Sequence, residues 1–178
     1  CLEPLALGKG FIPAIRMNGS SDIRWEKYGL PQSVPTVEWY DYSKLPLEKR
    51  GDKGVLPPNY HLTFSLDENP GSWACAQKYL KADQNVAIVV RSDWHTSDKQ
   101  AKVAKDLVIE RETMGGFPVV DGDLHDARFK DTKGSWVVLY AKSLAAGDSE
   151  GFAFPVTREG RLKRLSLPLA NRRARRAA

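Results

Sequence analysis

The chain has 178 residues, 42% of them hydrophobic and 28% charged, with a formal net charge of +5. That length supports one domain with its own apolar core, and the composition is that of a soluble globular protein. No apolar run approaches the roughly 20 residues that span a bilayer, no secretory signal opens the chain, and two distant cysteines, Cys1 and Cys75, provide neither a disulfide scaffold nor a zinc or iron–sulfur ligand set.

In chain order, β-branched and aromatic runs predict strands at "FIPAIRM" (11–17), "TVEWYDY" (36–42), "YHLTFSL" (60–66), "NVAIVVR" (85–91), "FPVVDG" (117–122) and "SWVVLYA" (135–141). The fourth and sixth are nearly continuous hydrophobics, as in strands covered on both faces. "SDIRWEKYG" (21–29) reads as a short helix closed by Gly29, and 44–58 as an exposed connection rich in Pro, Gly and charge. "SWACAQKYLKA" (72–82) predicts a helix capped by Ser72. "SDKQAKVAKDLVIERE", from Ser97, predicts another with Val103 and Leu107 inward and Lys99, Lys102 and Lys105 outward. Alternating strands and crossovers point to an α/β fold, a mainly parallel sheet of βα units, expected as a partial (β/α)-barrel. The domain is expected over 1–157. A basic tail over 158–178 holds eight bases against one acid, and its Arg172, Arg173, Arg175 and Arg176 are candidates for contact with nucleic-acid phosphate.

Polar groups cluster where these strands end: "RMNGSSD", "YDYSK", "TFSLDEN", "RSDWH" and "DGDLHD". Ligands of parallel α/β sheets gather at the carboxyl ends of strands, so these segments are expected to form one rim. The densest is "PVVDGDLHDARFKD" (118–131). Asp121, Asp123 and Asp126 are hard oxygen donors suited to Mg²⁺ or Mn²⁺. His125 suits acid–base work, and Arg128 suits a phosphate or a carboxylate. The alternative is a structural turn in which Gly122 supplies a positive φ, aspartates cap the backbone and Arg128 pairs with one of them. His61 and Thr63 share a strand face. Tyr40, Asp41, Tyr42 and Lys44 offer stacking or nucleophilic groups, and Arg16, Asn18, Asp22 and Tyr60 are further substrate-binding candidates. No Walker, G-x-S-x-G or H-E-x-x-H pattern occurs.

"IRMNGSSDIRWE", "WYDYSK", "LPPNYHLTFS", "NVAIVV" and "VVDGDLHDARFKD", in that order, resemble the phage gene product 88 family over about residues 14–142. The resemblance implies family positions at Arg16, Asn18, Ser21, Asp22, Tyr40, Asp41, Tyr42, Lys44, Asn59, Tyr60, His61, Thr63, Ser65, Asn85, Asp121, Asp123, Asp126, Arg128 and Asp131. The chain departs from the family pattern at Ser43 and Leu124, where Thr and Lys are usual. It also implies a bacterial host cytoplasm as the location and a cysteine-rich segment upstream, so a truncated start at Cys1 is an expectation. With that segment the layout would resemble a radical-SAM enzyme.

Two functions follow as expectations, beside a third in which the chain is a fragment of a radical-SAM-like enzyme that keeps the rim but lacks its cysteine cluster. The first is a metal-dependent enzyme on nucleic acid or nucleotides, in which Asp121, Asp123 and Asp126 hold the cation and His61, His125 and Tyr40 join the chemistry. The second is a non-catalytic nucleic-acid-binding or host-takeover protein, whose tyrosines stack on bases and whose tail meets phosphate.

Overall fold

The computed structural model describes residues 2–147 and 152–163. Eight strands form one sheet: β1 (Ala14–Arg16), β2 (Glu38–Ser43), β3 (Tyr60–Ser65), β4 (Asn85–Ser92), β5 (Thr113–Met114), β6 (Phe117–Asp121), β7 (Trp136–Tyr140) and β8 (Phe154–Val156). Their order is β1-β2-β3-β4-β7-β6-β5, and only the β5–β6 hairpin is antiparallel. β3 leaves β4 after Ala87, and β8 pairs with β4 further along, at Val90–Ser92. The α/β, mainly parallel reading is therefore correct. The barrel is not: β1 and β5 end the path without meeting, so the sheet is open.

The helices are α1 (Leu2–Gly8), α2 (Leu30–Ser33), α3 (Ser72–Lys81) and α4 (Asp98–Ile109). α3 and α4 pack on one face of the sheet for a topological reason. Strands β1 to β4 succeed one another across the sheet, and the step from β4 to β6 continues the same way. Right-handed crossovers must then all pass over one face. α3 sets Tyr79 against Phe64 and Trp73 against Trp136 and Phe154. Ala104 and Val108 of α4 join the same core as Ile88, Val138 and Phe154.

The step from β6 to β7 runs backward, so a right-handed connection has to cross the opposite face. The acid-rich segment 122–135 is that crossover. Gly122 lies against β7 so closely that a Cβ there would sit 2.7 Å from Val137 Cγ1 and 2.8 Å from Leu139 Cδ2. The glycine serves this close approach rather than a positive φ. Beyond it, the 3-10 turn Arg128–Lys130 reaches β2 and β3. The step from β7 to β8 also runs backward, and its turn, Ser143–Gly147, sits at the start of α4, where Ser143 N donates to Asp98 Oδ1 at 2.8 Å. β4 is thus covered on both faces, as its continuous apolar run requires.

Three local readings need correction. Ser97 caps α4 as expected, accepting from Gln100 N at 3.3 Å, but the helix is rotated from its predicted face. Ala101, Ala104, Lys105 and Val108 face inward, while Val103 is 40% exposed. In the segment 44–58, read as exposed, Leu47 and Arg50 are buried. Further, Ser72 is the first residue of α3 rather than its cap. Its hydroxyl accepts instead from Asp67 N at 3.1 Å.

Candidate functional site

The predicted site residues fall into three separate assemblies. The first is a buried polar network at the ends of β1 and β2. Asp41 accepts from Asn18 N at 2.7 Å, Asn18 Nδ2 at 3.1 Å and Tyr60 OH at 2.8 Å. Arg50, fully buried, donates to Tyr60 OH at 2.9 Å and pairs with Asp22 at 3.1 Å and Glu26 at 3.2 Å. Asp22 also accepts from Ser43 Oγ and Lys44 N. Asn18 Oδ1 takes Ser21 Oγ, Ile23 N and Trp25 Nε1. Burial pushes the Asp41 carboxyl above its usual range, against its hydrogen bonds from Asn18 and Tyr60. Burial, and then the Asp41 charge, keeps the Tyr60 phenol a neutral donor. Partners inside the protein engage most of these atoms, with only Glu26 Oε2 and Arg50 Nε lacking a hydrogen bond, so the network fixes the loop after β1 and presents little to a ligand. Arg50 and Glu26, which hold it together, carry no sequence signal.

The second assembly lies where β6 and β7 end. Lys105 Nζ meets Asp121 Oδ1 at 2.7 Å and Asp123 Oδ2 at 3.4 Å. Lys142 Nζ meets Asp123 Oδ1 at 3.0 Å, and Asp123 also accepts from Tyr140 N. Burial alone would lower the Lys105 ammonium, but the two carboxylates outweigh it and leave it raised and charged. Burial likewise works against the Asp121 carboxylate, and the Lys105 contact still holds it below its usual range. An acid with a depressed folded pKa lends stability above its unfolded value and loses it as pH falls through the folded one. Asp121→Asn is therefore expected to lose about 1–3 kcal/mol at pH 7. The gap to wild type should close as the pH is lowered through the folded carboxyl's pKa, which thermal unfolding at pH 7, 4 and 3 would measure.

The third assembly is the crossover 122–135 itself, a strap on the face opposite α3 and α4. Arg128 is buried, donates to Gly122 O at 3.2 Å and stands 3.2 Å from Asp131 Oδ2. That last pair attracts by charge but is not aligned as a hydrogen bond, since neither Arg128 Nη1 nor Asp131 Oδ2 has a hydrogen-bond partner. Burial raises the Asp131 carboxyl despite Arg128 and His125, whose Nε2 is 3.8 Å away. Phe129 lies with its ring centre 5.7 Å from Tyr40 and 6.2 Å from His61. Arg16, at the sheet edge, holds Asp126 at 3.2 Å and sits 4.8 Å over the Tyr42 ring. Lys130 stands 5.9 Å from the Phe129 ring. Burial raises the Tyr42 phenol, so it too is a neutral donor. His61 is tied to Glu38 at 2.7 Å.

The expected rim thus divides by face. Arg16, Tyr40, Tyr42, His61, His125, Asp126 and Arg128 come together under or along the strap. Asn18, Asp22, Asp41 and Tyr60 belong to the buried network, and Asp121 and Asp123 to the lysine cluster. Lys44 is exposed, 3.8 Å from Asp67. A small cavity of about 20 Å³ lies between His61, Thr63, Asn85, Arg128 and Asp131, with room for one water-sized molecule. Phe129 and Lys130, which join Tyr40 and His61 along the strap, carry no sequence signal beside the aspartates. The arginines of the tail, Arg172, Arg173, Arg175 and Arg176, lie outside the described residues.

The metal expectation fits this arrangement poorly. Asp121 and Asp123 are matched to Lys105 and Lys142, while Asp126 is matched to Arg16 at the other end of the sheet. Among the described residues no three His, Cys, Asp or Glu side chains converge as a ligand set. Nor is any described helix long and apolar enough to cross a membrane.

The family model described as Gene product 88 matches residues 6–155. Comparison with curated proteins and with solved structures gives no match.

Proposed function

The chain belongs to the gene product 88 family, a name that states no chemistry, and we propose from the site itself that it is a non-catalytic protein that binds single-stranded nucleic acid. The observation that carries this reading is the row of half-buried rings and cations along the strap face. Arg16 stacks on Tyr42, Tyr40 and His61 flank Phe129, and Lys130 stands over Phe129. Rings give bases a stacking surface of any sequence, and Lys130, which makes no ion pair among the described residues, gives the backbone counter-charge. The basic tail adds further cations close in sequence.

A hydrolase built on Asp121, Asp123 and Asp126 has less support, because each of these carboxylates already neutralises a base. An acid–base role for His61, His125 or Tyr40 would need substrate-sized space, and the cavity beside His61 holds about 20 Å³.

The test is fluorescence anisotropy with a labelled single-stranded oligonucleotide across a salt series. Phe129→Ala is expected to weaken binding about 5- to 100-fold with the salt slope unchanged. Removing Arg172, Arg173, Arg175 and Arg176 should lower the slope by up to about 3. Equal affinity of wild type and Phe129→Ala, both folded, would reject the strap face as the interface.

A further inference from the structure

A second groove, of about 530 Å³, lies on the α3/α4 side of the sheet, away from the strap. It is lined by Trp94, His95, Gln100, Val103, Leu107 and Arg158. Trp94 and His95 stand just past the carboxyl end of β4, the strand with most neighbours, where parallel sheets receive ligands. The loop is fixed: the Ser92 hydroxyl donates to His95 O, and His95 N lies 3.3 Å from that same Oγ. The α4 rotation that turns Lys105 inward leaves Val103 and Leu107 as an apolar floor on the helix's outer side.

The polar groups are few and convergent. Trp94 Nε1 donates to Gln100 Oε1 at 2.8 Å, which pins the indole and leaves the Gln100 amide N–H groups to face a ligand. The Arg158 guanidinium stands 5.7 Å from the Trp94 ring centre and makes no ion pair among the described residues. No carboxylate lines the groove: of those adjacent in sequence to its lining residues, Asp93 is taken by Lys163, and Asp106 and Glu159 lie outside the lining. A pinned aromatic ring, an apolar floor and an uncompensated arginine call for a flat ligand that carries an anion.

We propose that this groove binds a nucleoside monophosphate. The base packs on Trp94, Val103 and Leu107, Gln100 reads its edge, and Arg158 with His95 takes the phosphate. The groove is open to solvent along one side, so the ligand is held from its apolar floor and its Arg158 end, in a volume within the roughly 300–1,000 Å³ of small-molecule sites. The site is independent of the strap face, so either can stand without the other.

The test is calorimetric titration of the full chain with each of the four common ribonucleoside monophosphates, and separately with adenosine and inorganic phosphate. At least one monophosphate should bind saturably and more tightly than the nucleoside or phosphate alone. Arg158→Gln, a surface change, should weaken it by about tenfold or more, the scale of a charge-assisted contact, and leave weak nucleoside binding unchanged. Trp94→Leu should weaken both nucleotide and nucleoside, while Phe129→Ala should alter neither. No saturable binding at millimolar concentration, or binding that Arg158→Gln leaves intact, would overturn the proposal.

Discussion

Replacing Arg50 with methionine is expected to be the most damaging single change, costing about 3–5 kcal/mol. The arginine is fully buried and answers two carboxylates, Asp22 at 3.1 Å and the almost fully buried Glu26 at 3.2 Å. It also holds Tyr60 OH, which in turn donates to Asp41. Methionine fills similar space but leaves Glu26 buried and Asp22 half-buried without a counter-charge, and the uncompensated Glu26 charge dominates the cost. Against a total stability of about 5–15 kcal/mol, such a loss leaves little margin. Urea unfolding should show a much lower midpoint for Arg50→Met, with partial recovery when Glu26→Gln is added. A wild-type midpoint would mean that the network contributes little to the fold.

Arg128→Met is expected to come next, at about 3 kcal/mol, and to differ in kind. Arg128 is buried beneath the strap, with Asp131 its charge partner and Gly122 O its acceptor. Its loss strands Asp131, whose carboxyl burial already raises. An acid with a raised folded pKa favours the fold below its unfolded value, and that contribution is lost as pH rises through the folded one. The destabilisation of Arg128→Met should therefore grow with pH above the usual carboxylate range. The double variant Arg128→Met/Asp131→Asn should regain much of the loss, because removing both charges removes the unpaired one. Phe129 adjoins Arg128 in the strap, so Arg128→Met should also weaken nucleic-acid binding, whereas Arg50→Met should act through stability alone. A flat pH dependence for Arg128→Met, with no recovery in the double variant, would contradict this account.

Much of the sheet was legible because β-branched runs mark buried strands. The runs at 60–66, 85–91, 117–122 and 135–141 contain β3, β4, β6 and β7 within a residue or two. The face of α4 was not, because two stripes compete in it. Val103 and Leu107 carry more apolar area, but Ala101, Ala104 and Val108 fit closer to the sheet, and Lys105 then gains two carboxylates. Strand order was also hidden. Whether 122–135 forms a rim or crosses a face depends on β6 pairing beyond β7, a long-range fact that no local pattern records. The same fact keeps the sheet open, where a count of βα units suggested a barrel. Arg50 was missed because it sits in a segment rich in Pro, Gly and charge, where exposure is the usual outcome. The aspartates stand out in the sequence, but their partners come from distant elements: Lys105 from α4 and Arg16 from β1.

Amide hydrogen exchange of the full chain, with and without a saturating single-stranded oligonucleotide, tests the central claim most directly. Slowed exchange is expected in the strap over residues 122–131 and in β2 and β3 beneath it, with α3 and the buried network around Arg50 unchanged. Protection absent from the strap, or confined to other surfaces, would contradict it.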